Sequence, residues 1–152
     1  MKTKIISLSS TFPAAPEEVW TKLLRAETLF YIAAPYTYFS PVGASSTFAW
    51  GEGETAQFRL KIFGFIPGGI HTINVIECNG EEYRIRSHEG NPGVPIWNHT
   101  ITLKPAPNGT TQYEDRVELG AGWRTGLAVL WGRTFYRHRQ RKWHKLLRHP
   151  AS

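Results

Sequence analysis

The sequence predicts an α+β fold: a long antiparallel meander followed by one long helix. Three observations carry this expectation. From about Thr47 to Leu119 the signals are all strand and turn, with short segments that alternate polar and apolar residues. Two connections are Asn-Gly pairs, Asn79-Gly80 and Asn108-Gly109, which accept the positive φ angles of a tight hairpin and so mark antiparallel neighbours. From about Gly122 to Arg148 there is no proline, and apolar side chains recur at helical spacing. Strands in series with a helix that must bury one face give an α+β architecture.

Taken in order, Lys4 to Phe12 alternates loosely and is rich in β-branched residues, which fits a strand. A short helix follows in PAAPEEVWTKLL. Pro16 suits a first turn, Glu17 and Glu18 suit the positive end of the dipole, and Val19, Trp20, Leu23 and Leu24 form one apolar face. A second short helix is expected over Ala26 to Ala34, stopped by Pro35. The meander contains strands at Gln57–Phe63, Ile70–Glu77, Glu82–His88, Ile96–Leu103 and Thr111–Leu119, with a further turn at Phe65-Ile66-Pro67-Gly68-Gly69. The closing helix would be on the order of 40 Å long. Leu127, Leu130, Trp131, Thr134, Phe135 and His138 share its predicted sheet-facing stripe. Gly126 and Gly132 weaken it by about 1 kcal/mol each relative to Ala, a cost that close packing at a glycine would explain.

The chain has 152 residues, 41% of them hydrophobic, and one Cys. That length fits one domain, residues 1–152, and a chain of about 150 residues buries enough surface to need no staples. A single Cys excludes an internal disulfide framework and a Cys-rich zinc module. No apolar run approaches the roughly 20 residues of a membrane helix, and the start MKTKIISLSSTF does not read as a signal peptide. A cytoplasmic, soluble protein is expected. The net charge of +6 is local: residues 124–152 hold eight Lys/Arg and no acid, leaving ten bases and all twelve acids to the rest.

Ala15-Pro16-Glu17-Glu18-Val19-Trp20, the run from Trp97-Asn98-His99-Thr100 through Asn108-Gly109-Thr110 to Asp115-Arg116-Val117-Glu118, and Phe135-Tyr136-Arg137-His138-Arg139 together resemble the START-like (SRPBCC) superfamily. Its members carry labels such as polyketide cyclase/dehydrase and lipid transport. The resemblance covers nearly the whole chain. It implies a helix-grip fold, in which a curved antiparallel sheet of six to seven strands wraps the C-terminal helix, with one or two short helices after the first strand. It also implies a cavity between sheet and helix for lipids, hormones, polyketides or other apolar molecules. The departure is Gly120-Ala121-Gly122, where related sequences often carry Pro before the helix.

Strand alternation then sorts side chains by face. Tyr113, Asp115, Val117 and Leu119 share one face of the last strand, against the polar Gln112, Glu114, Arg116 and Glu118. Asp115, the only Asp in the chain, thus falls on the apolar face, and His99 is the polar member of the comparable face Trp97, His99, Ile101, Leu103. A buried carboxylate needs a partner such as His99, Tyr113 or an Arg. Two readings of the pair stay open: a ligand-orienting or acid/base pair, and a structural pair that ties strand to helix. Phe58, Leu60 and Ile62, with Trp131, Phe135 and His138 from the helix, complete the expected cavity wall. The ligand-binding set is therefore Trp97, His99, Tyr113, Asp115, Val117, Phe58, Leu60, Trp131, Phe135 and His138. Tyr83, Ile85 and Ser87 are taken as the inward face of their strand, and Gly90–Gly93 as a connector.

Other chemistries find no support. There is no G-x-S-x-G, Cys78 has no evident base, the six His lack i, i+4 pairs, and Gly51-x-Gly53 follows no βαβ pattern. No cofactor or metal is expected. Arg133, Arg137, Arg141, His144 and Arg148 cluster on one side of the last helix with Trp143 nearby. A solvated face is favoured there, ahead of weak contact with a membrane surface and ahead of nucleic acid. A second apolar stripe, Val129, Tyr136, Trp143 and Leu147, is assigned either to packing on the N-terminal helices or to a homodimer contact. The favoured function is non-catalytic binding of a hydrophobic or aromatic small molecule. The alternatives are a cyclase- or dehydratase-type enzyme using His99 and Asp115, and a partner-binding protein with a closed core.

Overall fold

In a computed structural model, which describes residues 1–43 and 50–148, the chain forms one seven-stranded antiparallel sheet that grips a long C-terminal helix. In chain order the elements are β1 (Lys4–Phe12), α1 (Pro16–Leu23), α2 (Ala26–Ala33), β2 (Thr37–Pro41), β3 (Thr55–Ile62), β4 (Ile66–Asn79), β5 (Arg84–Gly90), β6 (Ile96–Ala106), β7 (Thr110–Gly120) and α3 (Thr125–Arg148). The sheet order is β1-β7-β6-β5-β4-β3-β2. Only β1 departs from simple succession, closing against β7. β2 is the one strand the sequence pattern does not foretell. It is five residues long and pairs with β3 at the sheet edge. Residues 47–49 of the predicted meander, and 149–152 of the basic segment, lie outside the described residues.

Turn chemistry sets the registers. At the β6–β7 hairpin Asn108 and Gly109 both adopt left-handed φ, 64° and 71°, the pattern Asn-Gly is suited to. At the β4–β5 connection Asn79 works differently. Its Oδ1 accepts from the Glu81 and Glu82 amides, each at 3.1 Å, and the turn runs on through Tyr83 at φ 53°. That residue therefore falls outside β5, although its ring packs on Trp20 and against the core cluster that holds Ile85. The predicted Phe65–Gly69 turn sits earlier, at 63–65, and Ile66 already belongs to β4.

The helix buries a different stripe from the predicted one. Leu127 and Leu130 are 65% and 64% exposed, and Thr134 faces solvent too. The inward residues are Thr125, Ala128, Gly132, Phe135, Tyr136, Arg139, Gln140, Trp143 and Leu147. The stripe was hidden because it mixes small residues with the polar Thr125, Arg139 and Gln140, whereas Leu127, Leu130 and Trp131 keep an apolar periodicity along its flank. Gly132 shows why small residues are needed: a Cβ there would lie 2.9 Å from Leu119 Cδ1 and 3.1 Å from Ile6 Cδ1, so α3 rests directly on β7 and β1. Tyr136, Trp143 and Leu147 are buried within their own chain, and Val129 is partly buried against the same core. Of the two assignments of this stripe, packing within the chain is the one the structure takes: Tyr136, Trp143 and Leu147 face the sheet and the N-terminal helices. No helix among the described residues is long and apolar enough to cross a membrane.

Candidate functional site

Between α3 and the concave face of β3–β6 lies a cavity of about 260 Å³. Its apolar wall includes Leu29 and Ile32 from α2, Leu60 and Ile62 from β3, Ile73 from β4, and Trp131 and Phe135 from α3. Its polar side is contributed by consecutive sheet strands: His71 on β4, Ser87 and Glu89 on β5, and His99 on β6, with Asn91 beyond β5 and Arg139 on α3. Alternation explains the placement. Ile85, Ser87 and Glu89 are spaced by two, as are His71, Ile73 and Val75, so each polar residue follows its strand's apolar residues onto the inner face.

The polar side is a chain of hydrogen bonds. Asn91 Oδ1 accepts from the amides of Gly93 (3.0 Å) and Val94 (2.9 Å), which fixes its amide group so that Nδ2 donates to His71 Nδ1 at 3.0 Å. His71 Nδ1 is thus an acceptor, and its proton sits on Nε2, which donates to Glu89 Oε1 at 2.7 Å. Ser87 Oγ donates to Glu89 Oε2 at 2.5 Å. His99 Nδ1 stands 3.9 Å from that same oxygen, and Nε2 of the ring is 2.7 Å from Asp115 Oδ1. Asp115 also accepts from Tyr113 OH (3.0 Å) and from Gln140 Nε2 (3.0 Å, to Oδ2). Gln140 in turn donates to the Leu8 carbonyl and accepts from Ser10, so Asp115 links β6, β7, α3 and β1.

Both carboxylates are buried, yet both are held below their ordinary pKa. For Asp115 burial pushes upward, and the His99 hydrogen bond and charge, the Arg139 charge and the Gln140 hydrogen bond outweigh it. For Glu89 burial is likewise outweighed, chiefly by the hydrogen bond from His71, with His99 and the Ser87 hydroxyl adding to it. Burial drives the Tyr136 and Tyr113 hydroxyls upward, so both stay protonated; Tyr136 OH accepts from Trp97 Nε1 at 2.7 Å.

Of the ten residues predicted to bind ligand, Trp97, His99, Leu60, Trp131 and Phe135 line the cavity. The other five do not. Asp115 and Tyr113 sit behind His99, Val117 and Phe58 are fully buried in the packing layers around it, and His138 turns away to the Ala34 carbonyl (2.8 Å) and stacks on Tyr36. The pattern-based reading missed His71, Glu89, Asn91 and Arg139. The first two were legible from strand alternation carried one step further. Arg139 lies four residues after Phe135 and so on its face, but it belongs to neither the apolar stripe nor the basic cluster read from the sequence. Arg133, Arg137, Arg141 and Arg148 are exposed, and His144 is half-buried against Phe12.

The fold has solved counterparts. A protein from Chromobacterium violaceum superposes with a TM-score of 0.71 at 18% identity, over 94% of this chain and 96% of that one. One from Rhodobacter sphaeroides gives 0.74 at 17%, over 97% and 95%. Norcoclaurine synthase from Thalictrum flavum, in complex with dopamine and hydroxybenzaldehyde, gives 0.71 at 16%, over 99% and 90%. The chain has the helix-grip fold. No family model and no curated protein matches it.

Proposed function

We propose that this protein binds a hydrophobic or aromatic small molecule in the cavity between sheet and α3, and that the His71–Glu89–His99 side orients it. The observation that carries this reading is the cavity itself: about 260 Å³ of space with a mostly apolar wall and polar groups gathered on one side. That combination is what small-molecule sites share. An apolar cavity of about 150 Å³ already holds benzene, so one or two rings is the fitting size. The norcoclaurine synthase of like fold is described with dopamine and hydroxybenzaldehyde, both aromatic, which supports an aromatic occupant. A closed core is disfavoured by the same cavity.

The test is native mass spectrometry of the purified protein with solvent extraction of anything bound, together with a fluorescence titration of 1-aminoanthracene. Saturable binding, weakened at least tenfold by Val94→Trp at the cavity wall, is expected. Absence of saturable binding, or binding indifferent to Val94→Trp, would count against the reading.

A proton-transfer role is the second reading, and one observation favours it: His99 lines the cavity while a buried carboxylate fixes its Nε2, the base-and-orienter arrangement of general acid/base catalysis. It requires that a bound molecule present a proton to His99, and that His99→Gln abolish turnover while leaving binding intact.

A further inference from the structure

The least satisfied group in the cavity is Arg139. It is 6% exposed and lines the cavity from α3. Its guanidinium carbon lies 4.9 Å from the Tyr136 ring centroid and 5.6 Å from that of Phe135, so aromatic rings cover it. Its Nε is buried and has no hydrogen-bond acceptor, and the side chain enters no ion pair among the described residues. A guanidinium carries five N–H donors in a rigid fork and accepts nothing. Leaving such donors without partners in the interior is costly, so a site that keeps Arg139 there is built for an oxygen brought from outside.

The neighbouring carboxylates decide which kind of oxygen. Glu89 and Asp115 both interact electrostatically with Arg139, but their oxygens are already taken: Glu89 by His71 and Ser87, Asp115 by His99, Tyr113 and Gln140. The two buried carboxylates therefore supply Arg139 with counter-charge through space without satisfying its donors. Arg139 lacks an acceptor; it does not lack a counter-charge. A third anion would be set beside these two carboxylates, whereas a neutral oxygen brings no further charge and can still accept from the guanidinium.

We propose that Arg139 recognises a neutral carbonyl-type oxygen on the bound molecule, so that the ligands of this cavity are apolar or aromatic ketones, aldehydes or lactones rather than free acids or plain hydrocarbons. This rests on the cavity-binding reading and narrows it. The guanidinium holds the oxygen, and the apolar wall of Leu60, Trp131 and Phe135 holds the ring system.

Three probes of matched shape test it: 2-ethylnaphthalene, 2-acetylnaphthalene and 2-naphthoate, each displacing 1-aminoanthracene from wild type, Arg139→Met and Arg139→Gln. The wild type should bind the ketone about tenfold more tightly than the hydrocarbon, the worth of about 1.4 kcal/mol, and the carboxylate more weakly than the ketone. Arg139→Met, which keeps an unbranched stem without donors, should bind hydrocarbon and ketone alike. Arg139→Gln, which keeps a donor, should recover part of the preference and covers the case in which the Met variant does not fold. The infrared carbonyl stretch of bound 2-acetylnaphthalene should shift to lower frequency in the wild type and return in Arg139→Met. Equal binding of ketone and hydrocarbon by the wild type, a ketone preference that survives Arg139→Met, or a preference for naphthoate would overturn the inference while leaving cavity binding intact. Failure of all three probes to bind the wild type would overturn both.

Discussion

His99 Nε2 and Asp115 Oδ1 are 2.7 Å apart although the strands do not set the two residues opposite each other. His99 pairs with Val117, and Asp115 with Ile101, so the contact runs diagonally across β6 and β7, within reach of long side chains on one face. The geometry divides the pair by role. His99 faces the cavity, while Asp115 is fully buried and spends its remaining acceptor capacity on Tyr113 and Gln140. Asp115 is a positioning and structural residue, and His99 is the member a bound molecule can touch.

Asp115→Asn should therefore act on stability. The replacement amide keeps one acceptor oxygen and must set its NH2 either against Gln140 Nε2 or against His99 and Tyr113, which leaves buried donors mispaired. A loss of about 2–3 kcal/mol follows, lowering the melting temperature by roughly 5–10 °C for a chain of this length. Thermal unfolding followed by circular dichroism measures it. A melting temperature within a degree of wild type would refute the structural role.

The two glycines at the start of α3 should respond in opposite directions to alanine. At Gly132 the new methyl meets Leu119 and Ile6 at 2.9 and 3.1 Å, and overpacking of this kind costs about 1–3 kcal/mol, more than the helix propensity of Ala returns. At Gly126 nothing lies within 4 Å, so Gly126→Ala should stabilise by roughly 0.5–1 kcal/mol. Urea midpoints of the two variants, measured side by side, check the sign of each.

What the sequence shows and what it hides divide along physical lines. The strand faces of β6 and β7 were legible because a period of two is short and the polar side is unbroken: Gln112, Glu114, Arg116 and Glu118 leave no doubt which side is wet. The hairpin at Asn108-Gly109 was legible because its φ angles demand those residues. The helix was mis-sided because burial there follows shape as well as polarity, with Gly132 and Ala128 chosen for close approach and Gln140 for the Asp115 network. Leu127 and Leu130 kept the apolar period without the burial. β2 went unseen because it is a five-residue edge strand held by pairing to β3. The cavity's polar side escaped because His71, Glu89 and Arg139 come together only once sheet and helix are assembled.

Acid should destabilise the protein in two stages. His138 and His144 have pKa values lowered in the folded state, mainly by burial, with nearby cations adding to it. A lowered folded value means their contribution is complete above the unfolded pKa of about 6.5 and is lost as pH falls below it. Asp115 and Glu89 are also lowered. By the same sign their contribution is complete above about 4 and is lost as pH falls further. Melting temperature against pH should thus show a shallow decline just below neutrality and a steeper one below about pH 4. Asp115→Asn should flatten the lower limb alone. A stability that rises on acidification from pH 7 to 5 would contradict the histidine assignment.

Finally, the two stripes of α3 make opposite demands on substitution. Leu127→Ser and Leu130→Ser touch side chains that are about two-thirds exposed, so each should stay within about 0.5 kcal/mol of wild type. Trp143 is fully buried and stacks on Phe12 at 5.5 Å between ring centroids. Trp143→Ala should cost about 3–5 kcal/mol through the cavity it leaves. Trp143→Phe should cost far less, because the indole N–H has no partner in the core, and removing a buried unpaired donor offsets part of the lost volume. Chemical denaturation of the four variants orders them. If the leucine variants lost more stability than Trp143→Phe, the inward face of the helix would have to be reassigned to the stripe that apolar periodicity alone selects.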